Sequence, residues 1–199
     1  MMPRARPIVC VSCSVLRPEL TALCEQGQLP FAVSFVDSML HMEPERLCTV
    51  LSEVVDSHRR GEDRLVLVFG DCHARMNEVD SLAGVARVSG ANCCEILLGS
   101  ERYRQFEREG AFLILPEWAE RWEEIFRDHL GFSDGAAKQF MAEMHSKLVY
   151  LDTGVMPEPT GRLEAFSRYV GLPCQRETVG LECLRRAIIE AVERLRANG

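Results

Sequence analysis

Six short apolar runs, each followed by a longer segment of helical periodicity, constrain this chain more than any other feature. They are PIVCVSC (7–13), FAVSFV (31–36), RLVLVF (64–69), VARVS (85–89), AFLIL (111–115) and KLVYL (147–151). Runs that are apolar at nearly every position, rather than at alternate ones, suit parallel strands covered on both faces. The segment Glu43–Arg60 carries Leu47, Val50, Leu51, Val54 and Val55 at three-to-four-residue spacing, with Pro44 in its first turn and Gly61 as a stop. Similar patterns predict helices over 17–26, 93–109, 116–129, 134–146, 160–170 and 181–197, and an edge strand near 175–178. Strands alternating with helices imply a three-layer α/β architecture, a mainly parallel sheet with right-handed crossovers and helices on both faces. The 199 residues fit one domain of ordinary size, 1–199. That architecture is Rossmann-like, but no GxGxxG, Walker-type loop or GxSxG elbow follows any strand. A dinucleotide enzyme and a serine hydrolase are therefore not expected.

Charge narrows the partners. Thirty acidic against 23 basic side chains leave a net charge of -7, the wrong sign for a phosphate-backbone binder. No apolar run approaches the roughly 20 residues needed to cross a bilayer. The opening MMPRARPIVCVSCSV lacks the apolar core and cleavage site of an export leader. The sequence thus reads as a cytoplasmic protein with neither a nucleic acid nor a membrane as partner. Nine cysteines in such a compartment are packed thiols, metal ligands or reactive groups rather than disulfides.

In an open parallel sheet, ligands bind outside the carboxyl ends of the strands. The residues expected there are Cys13 after the first strand, His41 after the second, Asp71, Cys72 and His73 after the third, and Asn92, Cys93 and Cys94 after the fourth. Asp152 and Thr153 follow the KLVYL strand. Cys13, His41, Cys72 and Cys93 together form a Cys3His set suited to zinc, or to an iron–sulfur cluster with a non-cysteine fourth ligand. Cys10 and Cys13 match a CxxC spacing, but residues three apart on a strand point to opposite faces, so only Cys13 reaches the rim. Cys10, Cys24, Cys48 and Cys183 read as core, and Cys174 has no assignment. One of Cys93 and Cys94 is expected in a first helical turn, where free amides lower a thiol pKa. His58, His129 and His145 read as solvated. Gly99 and Ser100 fall inside the predicted helix 93–109. Trp118 and Trp122 read as core, or as a contact in a homo-oligomer, rather than as a cofactor platform.

These stretches also resemble an uncharacterised family, domain of unknown function 1638. The resemblance rests on VSCSVLRPEL (11–20), SMLHMEPERL (38–47), LVLVFGDC (65–72), NCCEILLGSERY (92–103), LPEWAERW (115–122) and LVYLDTG (148–154). The family pattern has a cysteine before a vL-x-x-El segment, an LH-x-x-P-x-x-L segment, a G-x-C after a strand, and a D-C-I-x-x-x-LGS-x-x-Y segment. These fall here on Cys13, His41, Cys72 and Cys93. Where the family commonly has Asp then Cys then an aliphatic residue, this chain has Asn92, Cys93 and Cys94, leaving Cys94 as an extra thiol. The resemblance implies service to a corrinoid-dependent methyl-transfer system, with a corrinoid or methyltransferase protein as partner. Around the four ligands, Asp71, His73, Cys94, Ser100, Tyr103, Asp152 and Thr153 are candidates for supporting the metal or contacting substrate. Two other uses of the junctions are a non-catalytic cofactor-binding or accessory role, and a thiol nucleophile at Cys72 or Cys93 with His41 or His73 as base.

Overall fold

A computed structural model describes residues 6–197; the first five residues of the segment inspected for an export leader lie outside it. The strands and helices alternate as the sequence implies, but the strands form two parallel sheets instead of one. The first contains β1 (Ile8–Cys13), β2 (Val33–Val36), β3 (Arg64–Val68) and β4 (Val85–Arg87) in the order β2-β1-β3-β4. Its helices are α1 (Arg17–Glu25), α2 (Pro44–Arg60), α3 (Met76–Asp80), α4 (Cys93–Leu98) and α5 (Ser100–Arg108). The second sheet runs β5-β6-β7, from β5 (Ala111–Ile114), β6 (Lys147–Asp152) and β7 (Cys174–Thr178). It carries α6 (Pro116–Glu120), α7 (Asp134–Met144), α8 (Thr160–Val170) and α9 (Glu182–Ala197). Among the described residues no helix is long and apolar enough to cross a membrane.

The order of the first sheet fixes where chemistry can sit. The chain moves outward from β1 to β2, then crosses back to β3 on the other side, so the direction reverses between β1 and β3. That reversal opens a crevice at the carboxyl ends of those two strands. Parallel register, with Ser12 opposite both Phe35 and Val68, brings the ends of β1, β2 and β3 level.

The core explains why the strand runs are continuous rather than alternating. Val11, Leu65, Val66, Leu67 and Val68 are all fully buried. Each such side chain taken from water contributes about 1.5–3 kcal/mol. One apolar cluster joins the first sheet to the near face of the second, through Val149, Leu151 and Val179. It is closed by α9, which packs back against β3, β4 and α4. A second cluster around Trp122, Phe126, Phe166 and Tyr169 fills the far side of the second sheet, so Trp122 is core as the sequence suggests.

Two long helices anticipated from the sequence are broken. The segment 93–109 divides at Gly99, whose φ of 79° and ψ of 152° lie in a region that side chains disfavour. Gly99 is thus the junction between two helices, and Ser100 is the first residue of α5. The segment 116–129 divides after Glu120 and ends in a π-helical turn, Glu124–His129. The short helix α3 had no sequence signal. Replacing Gly99 with alanine is expected to cost about 1–3 kcal/mol, the scale of a strained residue in a glycine region. Urea unfolding checks it. An unchanged midpoint would mean that the junction relaxes.

Candidate metal centre

Each of the four ligand candidates is delivered by the end of a different strand of the first sheet. Cys13 is the last residue of β1 and is fully buried, while Cys10 on the same strand faces the side occupied by Cys24 of α1. Alternation therefore separates the two thiols as expected. His41 lies in a 3-10 turn, Ser38–Met42, that follows β2. Cys72 follows β3 and is half-buried, and Cys93 begins α4 after β4.

The contacts among them form a chain. Cys13 feels both Cys93 and His41 as neighbours, and His41 feels both Cys13 and Cys72. Cys72 and Cys93 also lie near enough to repel as thiolates. Among the described residues, no three His, Cys, Asp or Glu side chains are arranged around a common ion position.

Electrostatics follows from this packing. Hydrogen bonding with Cys93, opposed by burial and aided by His41, lowers the Cys13 thiol to about 6. Burial works against an imidazolium at His41, but the Cys13 and Cys72 sulfurs outweigh it and lift the ring to about 10. Cys93 moves well upward, because its neighbour Cys13 holds the shared proton deficit and because it is buried. Burial alone pushes Cys94 up to about 12. The low-pKa thiol is therefore Cys13, and neither member of the Cys93–Cys94 pair expected at the helix start.

Backbone and side-chain hydrogen bonds aim His41. Its Nδ1 lies 2.9 Å from the Ser38 carbonyl, which can only accept, so Nδ1 carries the proton and Nε2 is left for the sulfurs. A histidine whose second nitrogen is tied to a carbonyl is the usual arrangement of a metal-ligating imidazole. Ser38 is itself pinned. Its amide donates to Ser14 Oγ at 2.9 Å, and its hydroxyl donates to Glu117 at 2.8 Å. Glu117 belongs to α6 and pairs with Arg121 at 2.9 Å, so a helix of the second sheet steadies a turn of the first.

The loops after β3 and β4 touch where Gly70 passes Ala91. A Cβ on Gly70 would lie 2.2 Å from the Ala91 carbonyl oxygen and 2.5 Å from Asn92 Cα. The Asp71 amide donates to that carbonyl at 2.8 Å. This close approach sets Cys72 beside Cys93. Asn92 caps α4 by accepting the Glu95 amide at 3.0 Å, and its own amide donates to Tyr103 Oη at 2.7 Å.

A cleft of about 450 Å³ opens over the cluster. His41, Asp71, Cys72, Cys93, Cys94 and Tyr103 line one side of it. The opposite wall comes from the second half of the chain, with Phe112, Leu113, Leu115, Trp118 and His145. Trp118 meets His41 edge-on at 6.2 Å, and His145 meets Phe112 at 5.2 Å. Sequence reasoning missed this wall: it read His145 as solvated, and it read Trp118 as core or an oligomer contact, of which the packing against both apolar clusters agrees with core. Its only signal is apolar character, which a core strand shares.

Several anticipated residues stand elsewhere. His73 points beneath α2 into a separate pocket with Cys48 and Asp56; Nδ1 accepts the Arg75 amide at 3.2 Å and Nε2 is buried without a partner. Ser100 is exposed at the start of α5 and does not line the cleft. Asp152 is paired with Arg176 and accepts the Gly154 amide at 2.9 Å. The Thr153 hydroxyl donates to Glu19 at 2.9 Å. Both His73 and Cys72 lie beyond β3 in the turn that leads to α3, and that turn carries His73 toward α2 while Cys72 lines the cleft. His58 is half-buried and paired with Asp63 at 2.8 Å rather than free in solvent. Cys24 and Cys183 are half-buried rather than core.

Glu19 was not foreseen in any role. It is fully buried on α1, and its Oε2 has no partner. Burial raises its pKa above the ordinary carboxylate value, so its neutral form favours the fold, and stability is lost as pH rises through the folded-state pKa. Glu19→Gln is expected to stabilise by about 1 kcal/mol at pH 8, where an under-satisfied charge is removed, and to lose that advantage near pH 4. Melting temperatures at the two pH values test this. A variant equally or less stable at pH 8 would reject it.

The profile of a family described as "Protein of unknown function (DUF1638)" matches residues 35–188. The match includes His41, Cys72 and Cys93 and begins after Cys13. No curated protein matches the chain. Among solved structures, the trehalose repressor from Escherichia coli is similar at 13% identity, over 98% of this chain and 95% of its own, with a TM-score of 0.37. A likeness that distant carries no argument.

Proposed function

This chain belongs to the DUF1638 family, and on that premise we propose that it binds one metal ion through Cys13, His41, Cys72 and Cys93 and presents it to a small molecule in the adjoining cleft. One observation carries the reading: His41, whose Nδ1 lies 2.9 Å from the Ser38 carbonyl, has Cys13 and Cys72 as electrostatic neighbours, and Cys13 has Cys93. Donor chemistry fits, since three thiols and an imidazole are a normal zinc set.

A zinc ion at this position would supply a Lewis acid to a polar or soft donor group entering from the cleft. The chain's own residues would do the rest. Ser38 holds the His41 tautomer, Glu117 holds Ser38, and the apolar wall keeps water from the sulfurs. Tyr103 accepts from Asn92 and lines the cleft. The thiol-nucleophile alternative is less well supported: the one low-pKa thiol is Cys13, which is fully buried and closed to a substrate.

Anaerobic purification followed by elemental analysis and a visible spectrum tests the proposal. About one zinc per chain and no visible band is the expected result. Iron with a visible band would put a cluster on the same ligands, and a chain that retains no metal under these conditions would reject the site.

A further inference from the structure

The cleft wall has a chemical bias beyond holding a metal. Three aromatic rings, Tyr103, Phe112 and Trp118, share it with the carboxylate of Glu107, and Asp71 stands at its edge. Among the described residues no lysine or arginine lines the cleft. Asp71 is offset by Arg87 at 2.9 Å, whereas Glu107 makes no ion pair among the described residues. The two histidines are engaged within the wall: His145 packs edge-on against Phe112, and His41 is tied to the Ser38 carbonyl. Aromatic faces and an unpaired carboxylate attract positive charge, and thiols add none of their own.

We propose that the cleft takes a small organic cation, an alkyl- or arylammonium, with its apolar body against Phe112, Leu113 and Trp118 and its charged head toward Glu107. Anionic ligands such as carboxylates and phosphates are disfavoured on the same grounds. The inference rests on the metal reading in one respect only: a divalent ion on three thiolates retains a negative charge that strengthens the preference.

Calorimetric titration of the full chain with benzylamine, benzyl alcohol and benzoate at pH 7 tests it, with metal content measured on the same sample. Benzylamine, protonated at that pH, is expected to bind at least tenfold more tightly than benzoate, with benzyl alcohol between them. Glu107→Gln, at an exposed position, is expected to weaken benzylamine three- to tenfold, the scale of one partly screened charge, and to leave benzyl alcohol unchanged. Benzoate binding as tightly as benzylamine, no saturable benzylamine binding, or an unaffected Glu107→Gln would overturn the proposal. Metal-bearing protein that ignores benzylamine rejects the cation site and leaves the metal centre standing. Metal-free protein that binds benzylamine in a Glu107-dependent way supports the cation site and rejects the metal centre.

Discussion

Cys13→Ala is expected to empty the metal site, while Cys10→Ala, three positions earlier on the same strand, leaves metal content unchanged. The free energy of binding a structural zinc is about 10–16 kcal/mol, so each of four ligands carries roughly 3 kcal/mol, more than a hundredfold in affinity. Dialysed Cys13→Ala protein should therefore keep less than a tenth of the wild-type metal. Cys10 is fully buried on the opposite face, and losing its sulfur costs about 1–2 kcal/mol of packing without touching the site. Elemental analysis and urea unfolding of the two variants read both quantities. Equal metal loss in both would mean that the effect is general unfolding, and equal retention would remove Cys13 from the ligand set.

Gly70→Ala should be nearly as damaging, by a different route. The added methyl meets backbone rather than a movable side chain, at 2.2 Å from the Ala91 oxygen and 2.5 Å from its carbonyl carbon. The loops after β3 and β4 must then separate. Overpacking of this kind costs about 1–3 kcal/mol where side chains can yield, and a backbone obstacle places the cost at the upper end. The same separation moves Cys72 away from Cys93, so metal affinity is expected to fall at least tenfold even under conditions where the variant is folded. Gly161→Ala serves as a control for a glycine with nothing within 4 Å, since it adds a methyl without obstructing a neighbour. A Gly70→Ala protein with wild-type stability and metal content would show that the loops accommodate the methyl and that their contact does not set the site.

The sequence carried the first half of the site because two simple rules suffice there. A parallel strand buried on both faces is readable as an unbroken apolar run, and the residue just past such a run faces the carboxyl edge. Cys13 ends β1, and His41, Cys72 and Cys93 lie in the segments that follow β2, β3 and β4. Those rules do not identify the second half. Whether β4 pairs with β5 is not written in either strand; β4 spans only Val85–Arg87, and the chain between them turns at Gly99, so two sheets form. Phe112, Leu113 and Trp118 become a cleft wall only through that separation, and their composition is indistinguishable from core. His73 and Cys72 illustrate the limit at the scale of one residue. Both follow the same strand, yet one faces the cleft and the other α2, a choice made by the turn geometry around Gly70. Asp152 and Thr153 obey the strand-end rule too, but at the second sheet, where Arg176 and Glu19 occupy them.

X-ray absorption at the metal edge, on intact protein purified without added metal, tests the proposed convergence of these four side chains most directly. Three sulfur neighbours at about 2.3 Å and one imidazole nitrogen at about 2.0 Å are expected. A coordination shell of oxygen and nitrogen alone, or one with fewer than two sulfurs, would contradict the account.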